Sequence, residues 1–377
     1  MSAKPPSRSP LSPDRKRRFR VRALIGAALL LALLGAGHAV LWRWMGSQLQ
    51  DGFAAWERER RAQGWRVEHA TPVRGGWPFS ATLTLPRFRL AGGDVTLPGG
   101  MEWRAESLVL RLSLPRVDRL LVEMPGRQRL RLDGTEWPFA ADRLVAELPI
   151  ERDVLPREAL LEAERLRIGV ATGAGAGTVE ARQARLEVKT RSTAIEGEPA
   201  VTLRGAAEFV QLPPTAGAAA GAAAPVLAAL GRMLEQVSLD AALTGPVPPG
   251  RSPASRAEAW RDGGGTLELR GMDLRWGPVS ASTTATMALD EALQPMGAGT
   301  LKLTGAAEAL DAAAAAGLLT QRTAGTARTV VRLLSRAPAD GGPSELEVPL
   351  TLEDRVLSLA RMPVIRLGAW NWPAARD

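Results

Sequence analysis

The sequence predicts a mainly β protein with a few helices, in which an N-terminal transmembrane helix precedes antiparallel meander sheets. Three observations support this fold class. An uncharged apolar run follows a basic N-terminal tail. Beyond it, apolar and polar residues alternate in many short segments, which is the pattern of half-buried strands. Turns rich in Gly, Pro or Asp separate these segments, as in antiparallel sheets with one apolar face.

The apolar run extends from Ala23 to Leu41. At 1.5 Å of rise per residue, about 19 helical residues extend about 28 Å, which is close to the hydrocarbon thickness of a bilayer. Residues 1–22 carry eight basic residues and one acidic residue. The positive-inside rule therefore predicts a cytoplasmic N-terminus. We expect a single-pass inner-membrane protein whose C-terminal domain is periplasmic.

A cleaved signal peptide is the alternative interpretation of this run, because Gly37 and Ala39 satisfy the small-residue rule of cleavage sites. The run is longer than the apolar region of an ordinary signal peptide, which favours an uncleaved anchor. His38 lies near the exit end of the span. A neutral imidazole that reaches the interface explains this histidine better than a proton path along a lone helix.

Charge and composition exclude several functions for the exported part. The formal charge of the chain is +8, but eight basic residues and one acidic residue precede residue 43. The remainder is nearly neutral, so we expect no nucleic-acid interface, which needs clustered positive charge. The chain contains no cysteine, which excludes disulfides, thiol catalysis and cysteine-ligated metals.

The sequence also lacks catalytic motifs. A Ser-His-Asp triad would depend on His69, since His38 is assigned to the membrane, and no Gly-x-Ser-x-Gly elbow occurs. Metal-binding and phosphate-binding motifs are missing as well. We therefore predict a protein that is not an enzyme and that has no catalytic residue, metal or cofactor. A glycan hydrolase is a less favoured alternative, because most acidic residues alternate with arginines on predicted outer faces.

Changes of period divide the chain after the anchor. Apolar residues first recur every three or four positions, from Trp42 to Trp56, which predicts a helix that packs on the following domain. A later helix is predicted to begin at the N-cap Ser252, with Pro253 in its first turn, and to end near Trp260. The predicted organisation is a basic tail at 1–22, an anchor at 23–41, a juxtamembrane helix at 42–63, a first β-sheet region at 64–215, an Ala/Gly/Pro-rich connection with a short helix (Pro225–Glu235) at 216–250, and a second β-sheet region at 251–377 with a helical insertion at 311–335.

Leucine-rich rows on two predicted strands are the candidate ligand-binding residues. If two sheets pack face to face, these rows form the core of a sandwich. If one sheet curls without closing, the same rows line a groove suited to acyl chains. Periodicity alone does not separate the two arrangements. The rows are Leu108, Leu110, Leu112 and Leu114 in one strand and Leu346, Val348, Leu350 and Leu352 in the other.

Tryptophan-proline motifs recur at three predicted strand ends, at residues 77–79, 137–139 and 276–278. Proline restricts the preceding residue to extended geometry, so such a motif fixes chain direction while it buries aromatic rings. We interpret the three motifs as structural turn anchors. A platform for lipid or sugar is the alternative.

A resemblance emerges in residues 257–305. A tryptophan precedes a Gly-rich turn at 263–265, and a strand, Trp276-Gly277-Pro278, two more strands and the turn 295–297 follow. This succession resembles an uncharacterised family of alphaproteobacterial membrane-anchored proteins. The pair Asp354-Arg355 departs from the Asp-Gly expected in the closing hairpin. A weaker similarity to AsmA-like envelope proteins implies an association with lipid movement or outer-membrane assembly, and it implies no catalytic residue.

Taken together, these observations predict a membrane-anchored periplasmic protein that binds or shields lipid, or another amphipathic ligand, in maintenance of the cell envelope. Its expected partners are the membrane, a lipid ligand and an envelope protein, and not a nucleic acid. The alternative is an envelope scaffold that acts through protein–protein contacts.

Overall fold

The structure, a computed structural model, describes most of the chain. The predicted anchor and nearly all predicted strands lie in the described part, whereas the Ala/Gly-rich stretch and much of the predicted helical insertion lie outside it. The described residues are 13–93, 100–132, 134–150, 157–172, 175–213, 230–247, 252–315, 325, 328–329, 331–332, 335 and 344–372.

A single continuous helix, α1, opens the structure and extends from Pro13 to Ala62. Its segment Val21–Ala62 is the one described helix that is long and apolar enough to span a membrane. None of its 18-residue apolar window is buried against the rest of the described protein. A bilayer would satisfy this all-round apolar surface, so the segment fits a single-pass membrane anchor.

Eighteen strands follow within the described residues, and all of them belong to one sheet. Their bounds are β1 Arg66–Glu68, β2 Val73–Gly75, β3 Ser80–Gly92, β4 Met101–Ser113, β5 Arg119–Glu123, β6 Gln128–Leu132, β7 Thr135–Ala140, β8 Arg143–Pro149, β9 Glu158–Thr172, β10 Gly175–Thr190, β11 Pro199–Gln211, β12 Met233–Thr244, β13 Leu267–Trp276, β14 Val279–Leu289, β15 Pro295–Thr304, β16 Glu345–Glu353, β17 Val356–Leu359 and β18 Met362–Arg366.

Every strand pairing is antiparallel, and the topology is a meander. From β9 to β18 each strand pairs with the next one along the chain. At the other end, β1 and β2 both pair with β3, which pairs with β4. The short strands β5 and β6 line up along β4, and β8 and β7 line up along β9, so each couple acts as one interrupted strand. Among the described strands the two ends of the meander do not pair, and the sheet is open.

The register gives the sheet one apolar face and one charged face. Directly opposite residues stack in cross-strand rows that remain apolar along almost the whole meander. The charged face carries ion pairs such as Arg111–Glu123 at 2.8 Å and Arg204–Asp240 at 2.9 Å. One apolar row comprises Leu83, Leu110, Val122, Ala146, Leu161, Leu186, Gly205, Leu239, Met272, Thr283, Leu301 and Val348.

A line of interrupted pairs, which we name the crease, crosses the sheet from β3 to β12. Within each continuous strand that it crosses, the inward side chains on either side of the interruption are three residues apart instead of two, as between Ala163 and Leu166. Non-glycine residues adopt positive φ there, with 49° at Arg165 and 49° at Phe209, which costs about 1–2 kcal/mol each. The crease comprises Arg87, Glu106, residues 124–127, residues 141–142, Arg165, Arg182, Phe209 and Glu235.

The main core lies where α1 covers the apolar face of β3 and β4. Met45 and Leu49 of the helix are buried against Leu83 and Leu85, which are 1% and 0% exposed. The rings of Trp42, Phe53 and Trp56 pack around them. The predicted apolar stripe of the juxtamembrane helix is therefore confirmed, and this helix is the direct continuation of the anchor.

Two shorter helices cover other parts of the sheet. Helix α2, Pro253–Asp262, begins with a capping box between Ser252 and Ser255, as the Ser-Pro signal predicts. The indole of Trp260 donates to the carbonyl of Thr244 at 2.8 Å and so closes the end of β12. Helix α3, Ala306–Ala315, begins five residues before the predicted insertion at 311–335. Of the rest of that insertion, residues 325, 328–329 and 331–332 are helical and the others, apart from residue 335, lie outside the described residues.

The predicted connection at 216–250 needs a correction. Residues 233–244 form β12, which pairs with β11 on one side and with β13 on the other. The end of the predicted helix Pro225–Glu235 is therefore strand, while residues 225–229 lie outside the described residues. The alternation of Val237, Leu239 and Ala241 with polar residues was masked by the Ala-rich composition around it. The sheet runs on through this segment.

The closing hairpin departs from the expected turn in sequence but keeps a compatible backbone. Asp354 and Arg355 have φ of 48° and 65°, which is the left-handed pair that a tight β-hairpin requires. Ala360 and Arg361 repeat this geometry in the next turn, with φ of 48° and 69°. The missing glycine therefore changes the strain of the turn and leaves its shape intact.

Glycine at position 299 allows β15 to pack closely against β14, so an added methyl group there should destabilise the sheet. A Cβ at Gly299 would overlap the carbonyl oxygen of Thr284, whereas a Cβ at Gly205 would meet its nearest atom, a methyl of Leu186, at 3.7 Å. Gly299→Ala is expected to lower the free energy of unfolding by about 2 kcal/mol through overpacking. The matched Gly205→Ala should leave it unchanged or slightly raised. Urea midpoints of the full chain in detergent micelles, followed by circular dichroism, test this difference, and equal midpoints would contradict it.

Candidate functional site

The eight residues predicted to bind ligand all lie on the apolar face, but the structure covers many of them. Leu108, Leu110 and Leu112 are between 5% and 7% exposed in the core under α1, and Leu114 packs at its margin. Leu346 and Val348 are buried in a small cluster with Ala306 of α3. The last two, Leu350 and Leu352, are half-buried. The two rows are thus far apart in the meander, and neither forms the main opening.

The main opening of the apolar face is a cavity of about 570 Å³ between β4 and β10. Flat strand rows are about 4.8 Å apart, so side chains of β4 and β10 reach one cavity only because the sheet is bent. The cavity straddles the crease, with Leu161 and Leu186 on one side and Leu166 and Ile168 on the other. The three-residue step at the crease keeps both sets of side chains pointing inward.

Three aromatic rings, from Trp103, Trp137 and Phe139, form much of the cavity wall. Trp137 is 40% exposed and Leu132 is 37% exposed, which marks the side open to solvent. The surface inside is almost wholly apolar. Of the described residues that border it, Arg185 is the single charged one. Arg185 lies between the inward-facing Ala184 and Leu186, and its guanidinium turns to the charged face, where it pairs with Glu162 at 3.2 Å.

A buried amide holds the ring of Trp103 in place. The side chain of Gln128 is 1% exposed, and its oxygen accepts from the indole of Trp103 at 3.1 Å. Its amide nitrogen donates to the carbonyls of Met124 and Pro125, both at 3.3 Å. Trp103 also makes an edge contact with Phe88, with ring centroids 5.4 Å apart. A satisfied buried amide of this kind fixes the ring that it contacts.

On the charged face, opposite the cavity wall, Glu102 forms ion pairs with three arginines. Its carboxylate is 6% exposed and lies 2.7 Å from Arg89, 2.6 Å from Arg104 and 2.9 Å from Arg131. Burial raises the pKa of Glu102, but hydrogen bonds from Arg104 and Arg89 outweigh it and hold the pKa below its ordinary value. The same contact raises the pKa of Arg89. This cluster ties β3, β4 and β6 together behind Trp103.

Both histidines have structural contacts. The Nδ1 of His69 donates to the carbonyl of Ala70 at 2.7 Å, and its Nε2 lies 3.3 Å from a carboxylate oxygen of Glu57. The side chain is 16% exposed, so it is largely shielded from solvent. Among the described residues, no group of three or more His, Asp or Glu side chains is placed to hold a metal ion.

Sequence reasoning missed the cavity because its walls come from strand segments on both sides of the crease. Trp137 and Phe139 carried a signal, since they belong to a Trp-Pro-Phe motif, but the motif suggested a turn and here lies within β7. The other two motifs do anchor turns at strand ends. Trp77 packs on α1, and the indole of Trp276 donates to the carbonyl of Gly231 at 2.9 Å. No periodicity identifies Leu130 or Leu166 as cavity residues.

A family model described as "Uncharacterized protein conserved in bacteria (DUF2125)" matches residues 42–368. The chain belongs to this family. The match begins immediately after the apolar run and covers the packed half of α1, all eighteen described strands, α2 and α3. The DUF2125 family thus corresponds to the whole β domain together with its covering helices, and the resemblance seen in residues 257–305 is confirmed. A search of curated proteins finds no match to the chain. The similarity to AsmA-like proteins stays a prediction.

Proposed function

We propose that this protein is a non-enzymatic, inner-membrane-anchored protein whose periplasmic β domain binds the acyl chain of a lipid in the cavity at the crease, in maintenance of the cell envelope. The basic tail of residues 1–22 supports the orientation, because positive charge flanking a single span remains on the cytoplasmic side. The β domain then faces the periplasm.

The almost wholly apolar lining of the cavity is the observation that carries the proposal. A cavity of about 570 Å³ falls within the range of small-molecule sites. Leu161, Leu166 and Leu186 offer contacts to methylene groups, while the charged residues of β9 and β10 point to the other face of the sheet. Burial of apolar ligand surface there is worth roughly 25 cal/mol per Å². A lipid tail matches this lining, and a glycan, which needs hydrogen-bond partners, does not.

Photocrosslinking in proteoliposomes tests the proposal with the full chain. The vesicles contain phosphatidylethanolamine and phosphatidylglycerol, and part of the phosphatidylethanolamine carries a diazirine in one acyl chain. We expect adducts on peptides from β4 to β10 in addition to those on the apolar span. Ala184→Trp, which fills the cavity, should lower the adducts on the β domain by about tenfold, equivalent to ~1.4 kcal/mol of binding free energy.

Ala206→Trp is the matched control. Ala206 lies on the neighbouring strand β11, directly opposite Arg185 and therefore on the charged face. It should retain wild-type labelling of the β domain. Adducts confined to residues 23–41 in every protein would refute lipid binding by the cavity. Equal loss of β-domain adducts in both tryptophan variants would also refute it, since the effect would then not depend on the cavity.

A further inference from the structure

The turn between β2 and β3, residues 76–79, is attached to α1 where the helix leaves the apolar run. The Nε2 of His38 lies 2.7 Å from the carbonyl oxygen of Pro78. The indole of Trp42 donates to the carbonyl of Ser80 at 2.9 Å. The ring of Trp77 packs edge-on against both, with centroids 5.0 Å from His38 and 5.6 Å from Trp42. The turn is thus fixed to the last residues of the predicted span.

This attachment sets the level of the turn relative to a bilayer. His38 lies three residues before Leu41, the last residue of the apolar run, which corresponds to about 5 Å along the helix axis. A bilayer that covers the apolar run must therefore extend to the turn that contacts His38. The turn lies at the depth of the membrane interface, where tryptophan and other amphipathic residues are enriched.

Large apolar side chains at this level are exposed. Phe79 is 79% exposed, and Trp77 and Trp44 are each 53% exposed. The neighbouring turn between β4 and β5 adds Val117, which is 40% exposed. That turn is held beside the first by a hydrogen bond from the Leu114 amide to the Phe79 carbonyl at 3.2 Å. Large apolar side chains exposed at one level are costly in water but suit a membrane surface.

We propose that these exposed residues form a second membrane contact, in which Trp44, Trp77, Phe79 and Val117 insert into the interfacial layer of the bilayer that holds α1. Arg43 and Arg116 are exposed within the same two segments. Their guanidinium groups are placed to meet lipid phosphates, as cations do at such interfaces. The partner is a phospholipid surface, and the contact is independent of any ligand in the cavity.

The contact determines how the sheet stands on the membrane. Helix α1 runs beside β3, because Trp42 bonds to Ser80 at one end, and Arg61 at the other donates to the carbonyl of Val67, which pairs with Leu90. The Ser80 end of β3 is therefore proximal to the membrane. Met101, at the cavity, pairs with Gly92 at the far end of β3, about 40 Å along the strand.

Site-directed spin labelling tests the proposal directly, because the chain contains no cysteine and a single introduced cysteine is labelled uniquely. Phe79→Cys and Val117→Cys are labelled in the full chain and reconstituted in vesicles of phosphatidylethanolamine and phosphatidylglycerol. Met233→Cys is the matched control, since Met233 is an exposed apolar residue that is not among the residues lining the cavity. It pairs with Gln211 at the end of β11, on the same side of the crease as Met101 and therefore distal to the membrane. Power saturation then compares collisions with oxygen, which partitions into lipid, and with a water-soluble nickel chelate.

The Phe79 and Val117 labels should be more accessible to oxygen than to the nickel chelate, and the Met233 label should show the reverse. In lipid nanodiscs bounded by a polymer belt, the oxygen accessibility at Phe79 should again exceed that at Met233. Nickel accessibility at Phe79 and Val117 equal to that at Met233 would overturn the proposal. This result would leave the crosslinking test of the cavity unaffected.

Discussion

Leu83→Asp is expected to prevent the β domain from folding, by lowering the free energy of unfolding by more than about 5 kcal/mol. Leu83 is 1% exposed, lies opposite Leu110 in the apolar row and packs in the cluster with Met45 of α1. The cluster members are apolar, so a carboxylate at this position would be buried among hydrocarbon side chains. The expected readout is the loss of the β signal in circular dichroism of the full chain, together with rapid proteolysis.

Thr82→Asp is the matched control for this substitution. Thr82 is the preceding residue of β3, faces the opposite side of the sheet and pairs with Arg111. A carboxylate there meets a guanidinium in a cross-strand pair, so the free energy of unfolding should change by less than about 1 kcal/mol. If the two variants were equally stable, the assignment of the covered apolar face would be wrong.

Glu102 is expected to make the domain sensitive to acid. Its pKa in the folded protein is below the ordinary value of 4.5, because Arg104 and Arg89 stabilise the carboxylate against the cost of burial. A lowered folded pKa means that the stabilisation is fully present above about pH 4.5 and is lost as the pH falls through the folded pKa. Glu102→Gln should therefore lower the free energy of unfolding at pH 7 by about 3 kcal/mol, at the low end for a broken buried pair because the arginines can reach water.

The measurement compares urea midpoints of the wild type and Glu102→Gln between pH 7 and pH 3. The difference in urea midpoint between the two proteins should be largest at pH 7 and should disappear on acidification. Glu123→Gln is the control, since Glu123 pairs with Arg111 but is 32% exposed. Its effect should stay below about 1 kcal/mol at every pH. If the difference in urea midpoint between the wild type and Glu102→Gln did not decrease with falling pH, the glutamate would act through its shape and not through its charge.

Local signals in the sequence were sufficient to predict the apolar span, the apolar stripe of α1 and the capping of α2. Each depends on residues close together in the chain: Trp42 and Met45 are three positions apart, and Ser252 caps its own helix. The strands could be predicted in the same way. The alternation of apolar and polar residues, as around Leu108 and Leu110, is also visible within a few neighbouring residues. Fold class is therefore the part of the structure that short-range patterns could predict.

The cavity could not be predicted, because its position depends on which strands meet and where alternation is interrupted. If the residues of β9 alternated strictly between the two faces of the sheet, Leu161 and Ala163 would lie on the inner face and Leu166 on the outer one. The backbone of Arg165, with φ of 49°, reverses that assignment, and arginine is not a residue that indicates positive φ. Likewise, nothing local shows that α1 covers Leu110 and leaves Trp137 open.

The crease also bears on how the cavity could change its width. It crosses from β3 to β12 while the strands remain paired on both sides, so it divides this part of the sheet into two panels that share an apolar lining. A change in the angle between the panels would widen or narrow the cavity without breaking a strand pair. The walls formed by Leu161 and Leu166 would then move apart or together. Bending along this one axis would thus change the width of the cavity while the hydrogen-bonded strands stayed intact.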